Sequence, residues 1–221
     1  MSGVFAVVVA AGEGRRFGGA KQFAALRGRP VLDWSLAAFE TNRNIDAIVL
    51  VLAHPGEGGK YAARYRKISA VVRGGERRQD SVANGIEGLK GEDGDIVLVH
   101  DGARPLVTQE LIERVVDAAR ETGAAVPAVR IDDTIKEAEK DRVVRTLDRS
   151  RLFRAQTPQG FTLGLLQRAL ERAKAEGAEG TDEASLVERL GLPVALVPGD
   201  PRNIKITSPL DLTMAEAFLG H

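Results

Sequence analysis

Short apolar runs alternate with stretches of helical periodicity along most of the chain. The apolar runs are rich in β-branched residues and nearly free of polar positions, as strands are when both faces of a sheet are covered. Regular alternation of this kind predicts an α/β fold with a mostly parallel sheet flanked by helices. The predicted strands are Val4–Ala10, Ile45–Leu52, Ile68–Val72, Ile96–His100 and Ala124–Val129, and the predicted helices are Val31–Glu40, Tyr61–Arg66, Asp80–Leu89 and Thr108–Thr122.

The alternation stops after Val129. Residues 131–139 and 142–147 are polar and alternating, and the turn Lys140-Asp141 separates them. Because a polar hairpin does not cover a buried sheet, the segment 131–152 is predicted to be a β-arm that pairs with the same arm of another subunit. The alternative is a plain hairpin at the edge of the sheet. The rest of residues 1–221 is expected to form one domain with this arm.

Regular elements are predicted again after the arm. Ser208 followed by Pro209 indicates the start of a closing helix, because proline suits the first helical position. Before it, the pattern predicts helices at Leu163–Glu176 and Thr181–Leu190, a strand at Val194–Val197 and an extended segment at Asn203–Ile206.

The composition excludes several kinds of site. The chain has 221 residues, with 31 Lys and Arg, 31 Asp and Glu, and no cysteine. It therefore has no disulfide, no thiolate nucleophile and no cysteine-ligated metal. Zero net charge argues against a nucleic-acid-binding surface. Neither an export signal nor an apolar run of about 18 residues is present, so a cytoplasmic protein without a membrane span is expected.

A glycine-rich loop follows the first predicted strand directly. Gly12 and Gly14 allow a tight turn that aims backbone N–H groups at an anion, and Arg16 and Lys21 add positive charge. Phe17 stands in place of the third glycine of the dinucleotide fingerprint, and no Walker A lysine follows. The pattern favours a triphosphate site over a plain β–α connection with solvated charges.

The third predicted strand leads into a second glycine-rich loop. Gly74 and Gly75 precede the helix that contains Ser81. Ser81 either contacts a ligand base or phosphate, or belongs to a plain loop in which Asp80 or Ser81 caps the helix. The sequence alone leaves these two interpretations open.

The fourth predicted strand ends in a cluster of polar residues. Asp101 at a strand's carboxyl end suits a Mg²⁺ ion or a sugar hydroxyl. Gly102 permits close approach of a ligand, and Arg104 suits a phosphate. The alternative is a turn with an Asp–Arg pair on the surface. For His100, a structural role is favoured over a catalytic one.

The polar residues in the last third of the chain say less about function when each is taken alone. Pro158 restricts Thr157 to extended geometry, which fixes a hydroxyl without saying for what. Lys205 lies between two isoleucines, where an isolated lysine is usually solvated or has only its stem buried. The histidines fit neither a Ser/His/Asp triad nor the spacing of metal ligands.

Taken in order, these motifs resemble those of the 2-C-methyl-D-erythritol 4-phosphate cytidylyltransferase family, which acts in the non-mevalonate isoprenoid pathway. The resemblance spans nearly the whole chain, and the ordered set is more specific than the first motif alone. The motifs are Ala10-Ala11-Gly12-x-Gly14-x-Arg16, Lys21-Gln22, Gly74-Gly75-x-x-Arg78-x-Asp80-Ser81, His100-Asp101-x-Ala103-Arg104-Pro105, Asp148-Arg149, Thr157-Pro158-Gln159, Thr181-Asp182-Glu183-Ala184 and Asn203-Ile204-Lys205.

The resemblance implies a Rossmann-like nucleotidyltransferase that is a homodimer through its β-arm and uses Mg²⁺. Its substrates would be CTP and a polyol phosphate, 2-C-methyl-D-erythritol 4-phosphate. A cytidylyltransferase for another polyol phosphate, such as ribitol 5-phosphate, and a nucleotide-binding regulator are the alternatives. The implied roles are transition-state stabilisation by Arg16 and Lys21, positioning of the substrate phosphate by Arg149 and Lys205, nucleotide binding by Ala10, Ala11, Gly12, Gly14, Gly75, Ser81 and Gly102, and substrate binding by Asp101, Arg104, Thr134 and Thr157, with Asp101 also the candidate metal ligand.

Overall fold

A computed structural model of the chain describes residues 2–12, 14 and 17–220. The strands are β1 (Val4–Ala10), β2 (Ala47–Leu52), β3 (Ile68–Arg73), β4 (Ile96–Asp101), β5 (Ala124–Arg130), β6 (Lys136–Glu139), β7 (Arg142–Thr146), β8 (Phe153–Ala155), β9 (Gln159–Thr162) and β10 (Ala195–Pro198), with a two-residue pair at Ala25–Leu26 and Arg29–Pro30. The helices are α1 (Val31–Thr41), α2 (Gly59–Arg64), α3 (Arg78–Glu87), α4 (Gln109–Thr122), α5 (Leu163–Glu176), α6 (Glu183–Arg189) and α7 (Pro209–Phe218).

The main sheet is mixed but mostly parallel. Strand β1 pairs in parallel with β2 and with β4, β2 pairs in parallel with β3, and β10 pairs in parallel with β5. Strands β8 and β9 run antiparallel, β8 against β5 and β9 between β4 and β5. The predicted fold class is confirmed. The two antiparallel strands were not predicted, because they are short and interrupted by polar residues such as Arg154 and Gln159.

Helices cover both faces of this sheet. Alternate residues of β1 point to opposite sides: Val8 packs with α1 and α4, whereas Val7 packs with α3 and α5. The central strands are therefore apolar throughout, which explains why their sequences show no alternation. A smaller cluster around Leu26 and Ile206 holds α7 against α1 and the two-residue strand pair.

The segment after β5 forms a hairpin apart from the main sheet. Strands β6 and β7 pair only with each other in the described structure, and every residue in them is exposed. The turn passes through Lys140, which has a positive φ of 52°. Val143 and Val144 are 62% and 56% exposed. The predicted hairpin is confirmed, and the alternative of a hairpin added to the sheet edge is wrong.

Two helix starts differ in how well the sequence predicted them. Ser208 caps α7 as expected, with Asp211 accepting from the Ser208 N–H at 2.7 Å. Helix α3, however, begins at Arg78 rather than Asp80, with Arg77 as its N-cap. Neither Asp80 nor Ser81 is therefore the N-cap, although Asp80 completes a capping box by accepting from the Arg77 N–H at 3.2 Å. Among the described residues, no helix is long and apolar enough to cross a membrane.

Candidate active site

The polar strand ends singled out in the sequence meet at one edge of the sheet. Strands β1 and β4 are parallel neighbours, and their register places Val9 beside Asp101. The loop after β3 turns back toward β2, because the Gly74 N–H donates to the Leu52 carbonyl at 2.8 Å. The carboxyl ends of parallel strands are where open α/β sheets bind ligands.

A first cavity of about 180 Å³ opens between these loops. It contains most of the residues expected around a nucleotide, together with the basic and acidic groups Lys21, Asp101 and Lys205. Gly14 and Gly102 do not line it, and Arg16 lies outside the described residues. Its lining is Val9, Ala10, Ala11, Gly12, Lys21, Gln22, Gly75, Glu76, Arg77, Arg78, Ser81, Asp101, Ala103 and Lys205.

The first glycine-rich loop is shaped by one glycine with a positive φ and one buried amide. Gly14 has a φ of +68°, and a Cβ atom there would lie 1.8 Å from the Gly19 carbonyl oxygen. The Gln22 side chain is 4% exposed and donates to the carbonyls of Ala10 at 2.9 Å and Gly12 at 3.1 Å. Gly14 therefore sets the turn rather than the cavity wall, and Gln22 fastens the loop to the end of β1. The sequence offered no sign of this role for Gln22.

The second glycine-rich loop is held by Ser81. Its hydroxyl accepts from the Gly75 N–H at 3.0 Å and donates to the Arg77 carbonyl at 3.1 Å. A Cβ atom on Gly74 would lie 2.3 Å from the Cβ atom of Ala11, so the two glycine-rich loops are in close contact. Ser81 thus lines the first cavity and also fixes its wall.

Gly102 lies beneath the first cavity. Its N–H donates to the Val9 carbonyl at 2.9 Å, and its own carbonyl accepts from the Ser35 hydroxyl at 3.2 Å. A Cβ atom there would lie 2.9 Å from a methyl group of Leu32. The glycine is required for packing between β1 and α1, and its amide is already engaged.

A second cavity of about 220 Å³ adjoins the first. Three residues, Arg78, Asp101 and Lys205, line both cavities and are called the dividing wall below. Two further predicted residues, Arg104 and Thr157, line the second cavity. The remaining lining residues are Ala155, Gln156, Gln159, Thr181 and Asp182.

Asp101 is the centre of the dividing wall. It is 7% exposed, its Oδ2 atom lies 2.8 Å from Lys205 Nζ, and Arg104 Nε lies 3.8 Å from the same oxygen. Arg78 Nε donates to Oδ1 at 3.0 Å. Burial by itself would raise the pKa of Asp101, but these three cations hold it well below its usual range. The proposed surface Asp–Arg pair is therefore wrong, since the carboxylate is buried, and Lys205 is paired rather than solvated.

Arg78 joins Asp101 to a second buried carboxylate. Its Nη1 atom donates to both oxygens of Glu183, at 2.7 and 2.9 Å, and the Glu183 side chain is 1% exposed. Burial opposes the charged guanidinium, yet the two carboxylates raise the pKa of Arg78 further. Burial raises the pKa of Glu183, against the pull of Arg78. Both residues stand in motifs visible in the sequence, but no pattern there indicated that they meet.

Gln159 orders the wall of the second cavity beside Glu183. Its side chain is 1% exposed, donates to Asp182 at 2.7 Å and accepts from the Ala184 N–H at 3.0 Å. The start of α6 is thereby tied to β9. This role also was not predicted.

His100 has a structural role, as the sequence indicated. Its Nε2 atom lies 3.2 Å from the Arg104 carbonyl, which can only accept, so this nitrogen carries the proton. The Thr157 hydroxyl accepts from the Asp101 N–H and lies 3.1 Å from His100 Nδ1, to which it donates. Complete burial lowers the pKa of His100 to about 3. The neutral imidazole holds Thr157 and the end of β4 in place.

Arg104 anchors the segment that carries Lys205. Its Nη1 atom donates to the Asn203 carbonyl at 2.8 Å, and burial lowers its pKa. The buried Asn203 amide donates to the Thr157 carbonyl at 2.8 Å. The Ile206 N–H donates to the Ala103 carbonyl at 2.8 Å. The predicted extended segment thus crosses the end of the sheet and brings Lys205 to Asp101.

Thr134 and Arg149 are not brought to either cavity of their own chain. Both are exposed, and they stand at the beginning and the end of the arm. Arg149 donates a hydrogen bond to the Asp132 carbonyl, which closes the arm's base. Within one chain, the geometry therefore separates these two predicted residues from the other site residues.

The dividing wall does not fit a magnesium ion held by the protein. Both oxygens of Asp101 are already paired with cations. Among the described residues, no group of three acidic or histidine side chains could hold a metal. Mg²⁺ prefers several oxygen ligands in octahedral geometry, which one cation-paired carboxylate does not supply.

The fold and the site together define a nucleotidyltransferase with a Rossmann-like sheet. The family model for IspD, 2-C-methyl-D-erythritol 4-phosphate cytidylyltransferase, matches residues 4–221. The chain belongs to this family.

Individual relatives agree with the family match. A protein of Geobacillus kaustophilus with that name is 49% identical over 97% of this chain and 96% of its own length. The crystal structure of the Thermus thermophilus protein with that name is 38% identical and superposes with a TM-score of 0.81, covering 97% of this chain and 98% of the other. The Francisella tularensis structure is 33% identical, with a TM-score of 0.86 over 98% and 99% of the two chains.

Proposed function

We propose that the chain transfers a cytidylyl group from CTP to 2-C-methyl-D-erythritol 4-phosphate and releases pyrophosphate, a step of isoprenoid precursor biosynthesis. The observation that carries the proposal is the pair of adjoining cavities that share Arg78, Asp101 and Lys205. One cavity lies under two glycine-rich loops, which suits a triphosphate. The other is lined by two carboxylates, two threonine hydroxyls and three cations, which suits a phosphorylated polyol.

The reaction is a displacement at the α-phosphorus of CTP. An oxygen of the acceptor's phosphate forms the new P–O bond, and the bond to the β-phosphate breaks as pyrophosphate leaves. With a second pKa near 6, the acceptor's phosphate is largely ionised at neutral pH, so no general base is needed. His100 is not a base here, because both its ring nitrogens are engaged inside the protein.

Charge neutralisation is the main task that remains for the protein. An anion must approach a nucleotide that is itself strongly anionic, so fixed cations and positioning should supply most of the rate. Lys21 lines the first cavity. We assign it to stabilising the charge on the nucleotide. Lys205 stands on the dividing wall, where it can hold the acceptor's phosphate in line. We assign Arg16 the same role as Lys21 on sequence grounds.

Mg²⁺ is proposed to enter with the nucleotide, as the counterion of the triphosphate. The pairing of Asp101 with Arg78 and Lys205 supports this over a site on the protein. Asp101 is then assigned to an acceptor hydroxyl, for which a carboxylate oxygen is a suitable partner.

We further propose a homodimer in which each arm completes the partner's site. Thr134 and Arg149 are exposed and line neither cavity of their own chain, while Val143 and Val144 expose apolar surface on the arm. A second copy of the chain would cover the exposed valines and would bring the two polar residues to the site of its partner. Residues 1–221 would act as one domain, and a cytoplasmic location stays a prediction from the sequence.

The test is a pyrophosphate-release assay that crosses CTP, UTP and ATP with 2-C-methyl-D-erythritol 4-phosphate and ribitol 5-phosphate. Rapid release with CTP and the methylerythritol phosphate alone is expected. Faster release with ribitol 5-phosphate would replace the proposed acceptor. Tight CTP binding by calorimetry without release for any pair would favour a nucleotide-binding regulator.

A further inference from the structure

Arg78, a residue of the dividing wall, forms an ion pair with the buried Glu183, and the proposed chemistry does not use this pair. Arg78 comes from the start of α3, Asp101 from the end of β4 and Glu183 from the start of α6. The guanidinium spans the two carboxylates, with distances of 3.0 Å to Asp101 and 2.7 Å to Glu183. The Arg78 side chain is 28% exposed and Glu183 only 1%. One side chain thus connects three separate elements at the boundary of two cavities.

Stability alone does not account for such a pair. Removing two charges from water costs about as much as their attraction returns, and apolar residues of similar volume often stabilise a fold better. Apolar clusters lie on both sides of the sheet near this point, so the fold offers such packing. A role in the active site is therefore a better explanation of the Arg78–Glu183 pair than stability.

We infer that Arg78 and Glu183 are positioning residues. They fix the Asp101 carboxylate so that its Oδ2 atom can accept a hydrogen bond from a hydroxyl of the acceptor substrate. The inference rests on the proposed function. Arg78 occupies Oδ1 of Asp101, and this leaves Oδ2 directed at Lys205. Glu183 accepts from Arg78 through both oxygens and so fixes the guanidinium's orientation.

The same arrangement sets the charge that the acceptor meets. Without Arg78, Asp101 would draw Lys205 and Arg104 more strongly, since these are its remaining cationic partners. Lys205 would then be less available to the acceptor's phosphate. The effect should fall on the acceptor and spare CTP.

The test compares Glu183→Gln with the wild type in pyrophosphate release, using CTP and 2-C-methyl-D-erythritol 4-phosphate. The KM for the acceptor should rise by about tenfold or more, as expected when a hydrogen-bonded charge is displaced. The KM for CTP should stay within about twofold, because the first cavity keeps its loops. An unchanged acceptor KM, or an equal rise for both substrates, would overturn the inference.

Two further variants separate positioning from folding. Asp33→Asn is the matched control, because Asp33 is also a buried carboxylate, lies 2.6 Å from Arg64 and lines neither cavity. It should lower Tm without changing either KM. The double variant Arg78→Met/Glu183→Gln also removes the guanidinium that has lost its Glu183 partner, so Tm should recover towards the wild-type value while the acceptor KM stays raised. If both Tm and the acceptor KM returned to their wild-type values, the Arg78–Glu183 pair would be merely structural and the inference would be overturned.

Failure of the proposed function would look different. A wild type that uses CTP with another polyol phosphate would overturn the proposed acceptor, and the same comparison of KM values would then be made with that polyol phosphate. A normal wild type with a normal Glu183→Gln variant would overturn only the inference.

Discussion

The ammonium group of Lys205 lies 2.8 Å from Oδ2 of Asp101. The lysine proposed to hold the acceptor's phosphate is therefore already paired with a carboxylate. When the acceptor binds, its phosphate must compete with Asp101 for the ammonium group of Lys205. A hydroxyl of the acceptor can then donate a hydrogen bond to Oδ2 of Asp101 in place of Lys205. This exchange keeps a buried carboxylate from losing its partners, which would otherwise be costly.

Lys21 is the described cation of the first glycine-rich loop. Lys21→Ala should lower kcat by at least about a hundredfold, the size typical of losing one charge-stabilising donor. Arg16→Ala should do the same. Pyrophosphate release under saturating substrates measures both, with Lys90→Ala as control, because Lys90 is exposed and lines neither cavity. Near-normal turnover would remove either residue from this role.

The arm proposal predicts complementation between two inactive chains. Arg149→Ala and Lys205→Ala should each be poorly active alone. In a mixed dimer, one site would combine an intact Lys205 with the partner's intact Arg149, so an equal mixture should recover about a quarter of wild-type activity. Refolding the mixed chains and assaying them measures this recovery. No recovery, or a fully active monomer in sedimentation, would contradict action across the dimer.

Burial of neutral His100 predicts an acid-sensitive fold. Its pKa is about 3 in the folded protein, below the ordinary value of 6.5, so only the unfolded chain binds the proton between these values. Stability should therefore fall as the pH drops from 6.5 to 3, by at most about 1.4 kcal/mol per pH unit from this residue.

The pH dependence can be assigned to His100 by substitution. Urea unfolding between pH 4 and 6.5 should show a smaller slope for His100→Gln than for the wild type, whatever its absolute stability. The lower limit of pH 4 lies above the ordinary pKa of 3.8 for Asp101, below which the unfolded chain would take up a proton that the folded chain does not, since burial among cations lowers the folded pKa. Equal slopes would mean that His100 is protonated in the fold.

Contact between the two glycine-rich loops predicts a sharp difference between two glycine substitutions. In Gly74→Ala, the new Cβ atom would lie 2.3 Å from Ala11 Cβ, so stability should fall by about 1–3 kcal/mol. The KM for CTP should rise as the loops separate. Gly59→Ala is the control: its site is open and helical, and it should stabilise the chain by about 0.4–1 kcal/mol. Thermal unfolding and CTP titrations measure both effects.

Much of the architecture could be predicted because the central strands are buried on both faces. Their apolar runs stand out, and β1 was predicted to the residue. Strands β8 and β9 could not be predicted in the same way. Their polar residues face partners distant in sequence, as Gln159 faces Asp182 and Ala184. Such contacts follow from tertiary structure rather than from periodicity.

The site divides similarly between predicted and unpredicted residues. Asp101, Lys21 and Lys205 were predicted through glycine-rich loops and the family's motifs, and the structure places them in one cavity. Their pairing was not predicted, since an ion pair between residues 101 and 205 leaves no local pattern. Arg78 and Glu183 stand in the family's motifs, but their ion pair was not predicted, for the same reason. The positions of Arg149 and Thr134 depend on a second chain in the proposal, which one sequence cannot display.

The exposed hairpin of β6 and β7 has a consequence for how this protein can vary. Its strands bury none of their residues against the rest of the described chain. Substitutions there should leave the monomer's own folding nearly untouched, because surface changes usually shift stability by less than about 0.5 kcal/mol. If the arm pairs with a second chain as proposed, the residues that decide this pairing can therefore change during evolution without loss of the monomer's stability.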